Sequence, residues 1–157
     1  TEEALADILK LKKPAFSKVL QANQIHLDTM IFIYLLEGNE TYLHQVKPIF
    51  RLAEENKIKI VTSIISYIET LSSPHLTEDQ KSLYSQFFTE APNISIKEVD
   101  YEIAEKTTIL RRKYKIKTPD AIQVATALTS ETNLFISNDT VFNKIEEIQT
   151  LNLKNYT

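Results

Sequence analysis

Four carboxylates stand where a chain of alternating strands and helices would place chemistry: Asp28, Glu69, Asp120 and Asp139. Asp28 follows the apolar run Ile25-His26-Leu27, and Asp139 comes just after Leu134-Phe135-Ile136. Asp120 opens a helix at Thr118-Pro119-Asp120, with a hydroxyl cap, a proline in the first turn and an acid near the positive dipole end. Glu69 lies beside Ile68 and four residues after Ile65, at the border of a helical apolar stripe. A charge there costs free energy unless a cation or a hydrogen-bonding network meets it. Carboxylates are hard oxygen ligands, so the metal such a set favours is Mg²⁺ or Mn²⁺. Taken singly, each aspartate is better explained as a helix cap, worth about 0.5–2 kcal/mol. Glu69 alone is explained as well by a lysine partner at the edge of the core. Only the joint placement points to a site.

Other chemistries are excluded by composition. The chain has no cysteine, so disulfides, cysteine-ligated zinc, iron–sulfur clusters and a thiol nucleophile are ruled out. Its three histidines, His26, His44 and His75, are scattered and form no ligand pair at helical spacing; packing or surface hydrogen bonding is their expected role. A single glycine, Gly38, cannot build a dinucleotide fingerprint, a P-loop or a nucleophile elbow. The net charge of −3 is compatible with an enzyme that concentrates acids at a metal.

The elements that would position the acids follow from periodicity. Ile25–Leu27, Ile58–Thr62, Ile94–Ile96 and Leu134–Ile136 read as strands, and residues 148–153 as a last edge strand. Between them, residues 29–37, 42–55, the stretch carrying Ile64, Ile65, Ile68 and Leu71, the stretch capped by Thr77, and 100–114 read as helices; Asp120 and Asp139 each begin another. Strands separated by helices imply right-handed crossovers and a mainly parallel sheet covered on both faces, a three-layer α/β/α sandwich. In such sheets ligands bind at the carboxyl ends of strands near a switch in strand order, where Asp28, Asp120 and Asp139 would converge.

Residues 1–24 read as a helical arm before one domain over 25–157. Ala4, Leu5, Ile8, Leu9 and Leu11 recur at helical spacing up to Pro14, followed by Phe16, Val19 and Leu20. Such an arm packs on the domain's own surface or serves dimerisation or a partner. No apolar stretch approaches membrane-spanning length and no secretory leader is evident, so a cytoplasmic location is expected.

Taken in order, four segments resemble the PIN domain, including the VapC toxin nucleases. They are Ile25-His26-Leu27-Asp28-Thr29, the span from Thr62 through Glu69 to Pro74, the run from Thr118 to Ala127, and Ser137-Asn138-Asp139-Thr140-Val141-Phe142. Each is degenerate; the ordered set from Ile25 to about Leu153 is fairly specific. Many members carry asparagine two residues after the first aspartate, where this chain has Met30. Methionine cannot organise a site by hydrogen bonding as asparagine can.

The resemblance implies metal-assisted hydrolysis of RNA. Asp28, Asp120 and Asp139 would ligate Mg²⁺ or Mn²⁺, directly or through water. Glu69 would orient or deprotonate the attacking water, or share a second ion. The hydroxyls of Ser137 and Thr29 would support the ligands by hydrogen bonding. Arg111, Arg112, Lys113, Lys115 and Lys117 would grip RNA phosphates, although a helix C-terminus also favours cations for its own stability. Toxin-like members also imply a homodimer and an antitoxin protein partner, and no membrane. The alternatives are a catalytically weak PIN-like module that binds RNA or protein, a phosphatase or phospho-acceptor domain using Asp28, and a DNA-directed nuclease.

Overall fold

The computed structural model describes residues 13–132 and 134–156. It is an α/β/α sandwich around a five-stranded sheet in which every pairing is parallel. The elements run α1 (Lys13–Ala22), β1 (Gln24–Leu27), α2 (Thr29–Leu36), α3 (Leu43–Glu54), β2 (Lys59–Ser63), α4 (Ile64–Leu71) and α5 (Glu78–Glu90). They continue with β3 (Ile94–Lys97), α6 (Tyr101–Tyr114), α7 (Thr118–Thr129), β4 (Leu134–Ser137) and β5 (Gln149–Asn152). Short 3₁₀ segments cover Thr140–Lys144 and Leu153–Tyr156.

Strand order is β3-β2-β1-β4-β5. The chain grows outward from β1 to β2 and β3, then returns to place β4 on β1's other side. The switch in strand order therefore falls between β1 and β4. Their carboxyl ends are clamped by the Asp28 amide, which donates to Ile136 O at 3.1 Å.

Alternation along the strands explains the two covered faces. Leu134 and Ile136 of β4 enter one core, and Phe135 between them enters the other. The first core joins Ile25, Leu27 and Ile60 to Ile31 and Phe32 of α2, Val46 and Ile49 of α3, and Phe88 of α5. Val19 of α1 is buried in the same core, whereas the apolar positions between Ala4 and Leu11 lie outside the described residues. The second core packs Phe135 against Ile103 and Leu110 of α6, Ala121 and Val124 of α7, and Phe142.

Three local expectations change. The stripe expected to face the core of α4 is only half-buried at Ile64 and Ile65, and Ile68 is 51% exposed. Ser66 and Thr70 are buried instead, because Ser66 finds hydrogen-bond partners inside the fold. Helix α7 is capped by Lys117 and not by Thr118. Backbone at Lys117 is extended (ψ 154°), so the Thr118 hydroxyl comes one position too late to cap. Asp139 leads into a short 3₁₀ segment, not an α-helix.

Candidate active site

At the sheet's switch point Asp28 meets the turn that bears Asp139. Asp28 ends β1 and caps α2, with Oδ1 accepting from the Thr29 amide at 2.8 Å. Its Oδ2 accepts from Ser137 Oγ at 2.8 Å, reaching across to the end of β4. The Ser137 oxygen in turn accepts from the Asp139 amide at 3.0 Å, so one hydroxyl joins two acid-bearing segments. Asp139 caps its own 3₁₀ segment through Val141 N at 3.0 Å and is otherwise exposed. Asp120 lies in the first turn of α7, half-buried. Glu69, near the end of α4, is exposed, with Oε1 accepting from Thr29 Oγ1 at 2.8 Å.

The acids act on one another electrostatically. Asp28 is 9% exposed, and this burial pushes its carboxyl up to about 6. The hydrogen bonds from Ser137 and Thr29 oppose the rise, and the charges of Asp120 and Glu69 add to it. Asp120 is also raised, first by burial and then by Asp139 and Glu69, against the pull of Lys117. Like charges at a half-buried edge repel, and a cation is the direct remedy.

The donor set fits a small hard divalent ion: it is all carboxylate oxygen, with no thiolate and no histidine at the crevice. His44 and His75 are exposed elsewhere and His26 is wholly buried. Among the described residues the acids do not close into a compact cluster of three ligands. A cleft of about 380 Å³ is lined by Gln24 and Lys59, where β1 and β2 begin. These strand starts lie at the edge of the parallel sheet away from the acids.

The basic residues separate in space. Lys113 pairs with Glu147 at 2.7 Å and Glu146 at 3.9 Å. Arg111 Nε donates to Ile116 O at 3.2 Å. Lys115 closes α6 in left-handed backbone (φ 55°), and Arg112 is exposed in the helix's last turn. Lys117, the residue that caps α7, acts electrostatically on Asp120. Met30, at 40% exposure, projects from the first turn of α2.

Sequence reasoning passed over a polar network beneath the crevice. His26 Nε2 meets Gln123 Oε1 at 2.8 Å, and Gln123 Nε2 donates to Ser66 Oγ at 2.9 Å and Thr29 Oγ1 at 3.3 Å. Burial lowers the His26 ring to about 4, so it is neutral. The available signal was a pair of polar residues at apolar positions: His26 within a strand covered on both faces, and Gln123 one turn after Asp120 on the inward side of α7.

Residues 25–148 match the sequence model of the PIN domain family. Among solved structures the chain is similar to a toxin–antitoxin complex from Klebsiella pneumoniae. It is 26% identical there, covers 80% of this chain and 96% of that one, and has a TM-score of 0.62. VapBC2 from Rickettsia felis, bound to a promoter DNA fragment, is 17% identical with a TM-score of 0.65, covering 82% and 98% of the two chains. VapBC-1 from nontypeable Haemophilus influenzae is 19% identical with a TM-score of 0.64, covering 83% and 98%. No curated protein matches the chain. No helix among the described residues is long and apolar enough to cross a membrane.

Proposed function

Because the chain belongs to the PIN domain family, we propose that it is a metal-dependent endoribonuclease, the toxin of a toxin–antitoxin pair. PIN domains are generally nucleases. The observation that carries the reading is the shared hydrogen bonding beside the β1–β4 switch point: Ser137 joins Asp28 to the Asp139 turn, Thr29 joins Asp28 to Glu69, and the charge of Asp120 acts on Asp28. The similarity to the Klebsiella toxin–antitoxin complex supports an antitoxin partner. A homodimer and a cytoplasmic location complete the proposal.

Asp28, Asp120 and Asp139 would hold Mg²⁺ or Mn²⁺. The chemistry such an ion supplies when bound is charge neutralisation, polarisation of the phosphate and activation of water. Ser137 and the Thr29 amide fix the Asp28 carboxylate from two sides, so both of its oxygens are oriented before any ligand arrives. Glu69 orients the attacking water and accepts its proton as the oxygen–phosphorus bond forms and the phosphate–ribose bond breaks. Lys117, beside Asp120, is the basic residue placed to meet the RNA backbone near the cut.

Mn²⁺ titration by calorimetry tests the site directly. The wild type should bind Mn²⁺, with at least a tenfold loss for Asp120→Asn. Met30, an exposed apolar side chain beside Asp28, favours a second reading, a PIN-like module that binds RNA or protein without cutting. That reading gains if the wild type takes up no Mn²⁺.

A further inference from the structure

His26 is fully buried and stacks on Phe135, with ring centroids 4.6 Å apart. Its Nδ1 has no hydrogen-bond partner, and its Nε2 lies 2.8 Å from Gln123 Oε1. A neutral imidazole carries one proton, and an acceptor facing an acceptor at that distance would repel. The proton therefore sits on Nε2. The Gln123 carboxamide is fixed from its other end: the Ser66 and Thr29 hydroxyls direct their protons to Thr62 and Glu69, so they face its NH₂ group and leave its oxygen to His26.

The hydroxyl protons follow from their acceptors. Thr62 Oγ1 donates to Leu27 O at 2.8 Å, so at the 2.7 Å contact between Thr62 and Ser66 the proton belongs to Ser66. Ser66 and Thr29 each accept from Gln123. The single Thr29 proton goes to the Glu69 carboxylate, Oε1 at 2.8 Å, in preference to the neutral Ser66 hydroxyl at 3.2 Å. The chain of donors runs one way, from His26 through Gln123 and Thr29 to Glu69.

We propose that Gln123 and His26 are positioning residues for Glu69, whose carboxylate this one-way hydrogen-bond chain aims at the crevice through the Thr29 hydroxyl. The inference rests on the nuclease reading, in which Glu69 handles the attacking water. Glu69 is exposed, so an uncaptured side chain would sample several rotamers; a site must hold such a group close to its productive geometry. Stability does not require the arrangement, because replacing both partners of a buried hydrogen bond with apolar groups of the same shape is close to neutral. The network joins β1, α2, α4 and α7, the elements that carry or flank three of the four acids.

The test uses the full chain with Mn²⁺ and an RNA substrate. Gln123→Met, and the double variant His26→Phe with Gln123→Met, should lower kcat about tenfold with KM changed less than twofold. Thr29→Ser should restore what Thr29→Val removes, and Thr29→Val should lower kcat about tenfold, as Gln123→Met does. In a Glu69→Gln background, Gln123→Met should cost nothing further. Multiplying effects, or an unchanged kcat in folded Gln123→Met, would overturn the proposal. Side-chain NMR decides the matter without catalysis: Glu69→Ala at its exposed position should shift the Gln123 amide pair, and His26 should show a protonated Nε2 and a bare Nδ1. An unmoved Gln123 pair or a protonated Nδ1 overturns the chain. If the wild type cuts no RNA, the nuclease reading fails, and the NMR result still stands for or against the chain.

Discussion

Ser137 Oγ donates to Asp28 Oδ2 at 2.8 Å, linking residues 109 positions apart at the carboxyl ends of adjacent strands. The same oxygen accepts from the Asp139 amide, so the orientation of the first acid and the turn bearing the last are set together. Removing the hydroxyl should leave Asp28 buried with one donor fewer. In metal-free protein, the NMR-detected Asp28 carboxyl should titrate near pH 6, and Ser137→Ala should move it upward by about one unit. A midpoint near 4 in the wild type would contradict the burial argument.

The same shift makes a prediction for stability. The Asp28 carboxyl is raised from 3.8 to about 6 in the folded chain, so between these values the native state keeps a proton that the unfolded state has released. Stability of the metal-free protein should fall as pH rises through that window. The penalty is absent below pH 3.8 and fully present above about 6. Its upper bound is about 3 kcal/mol. Asp28→Asn should therefore melt higher than the wild type at pH 7.5 without metal, with the gap closing towards pH 4. A gap that stays constant with pH would show that Asp28 does not hold its proton.

Of the basic residues, Lys117 and Lys113 should behave differently. The charge of Lys117 acts on Asp120, whereas Lys113 is paired with Glu147. Lys117→Gln should weaken RNA binding and reduce the slope of log affinity against log salt by about one. Lys113→Gln should leave that slope unchanged. Binding measured from low to moderate salt checks both, and equal effects would mean that Lys113 leaves its acid partner to meet RNA.

Away from the crevice, Thr77 Oγ1 accepts from Gln80 N at 3.1 Å and the Gln80 side chain accepts from Thr77 N at 2.9 Å, a reciprocal cap on α5. Thr77→Ala should cost about 1 kcal/mol in chemical denaturation. Cleavage should not change, because neither residue reaches the acids.

The elements carrying the acids were legible wherever local signals agreed. Leu134-Phe135-Ile136 alternates between two cores, and Asp28 sits where a strand gives way to a helix capped by its own carboxylate. The facing of α4 was not legible. An isoleucine-rich helix reads as burying its isoleucines, yet Ser66 and Thr70 turn inward. The partners of Ser66 are Thr62, Thr29 and Gln123, and the last lies 57 positions away, so sequence spacing gives no hint of it. Glu69 was reasoned to sit at a buried border; it is exposed and held by Thr29, because the helix is rotated from its apparent stripe. Gln123 lies within a family-like run, and its pairing with His26 is visible only in the fold.

Cleavage of total cellular RNA with Mn²⁺ or Mg²⁺, comparing wild type with Asp120→Asn and including a chelator control, tests the central claim most directly. The account predicts metal-dependent cutting by the wild type, abolished by chelation and reduced at least a hundredfold in Asp120→Asn, a scale expected when a group acting on the reacting phosphate is removed. Equal cutting by wild type and variant, or cutting that survives chelation, would contradict it.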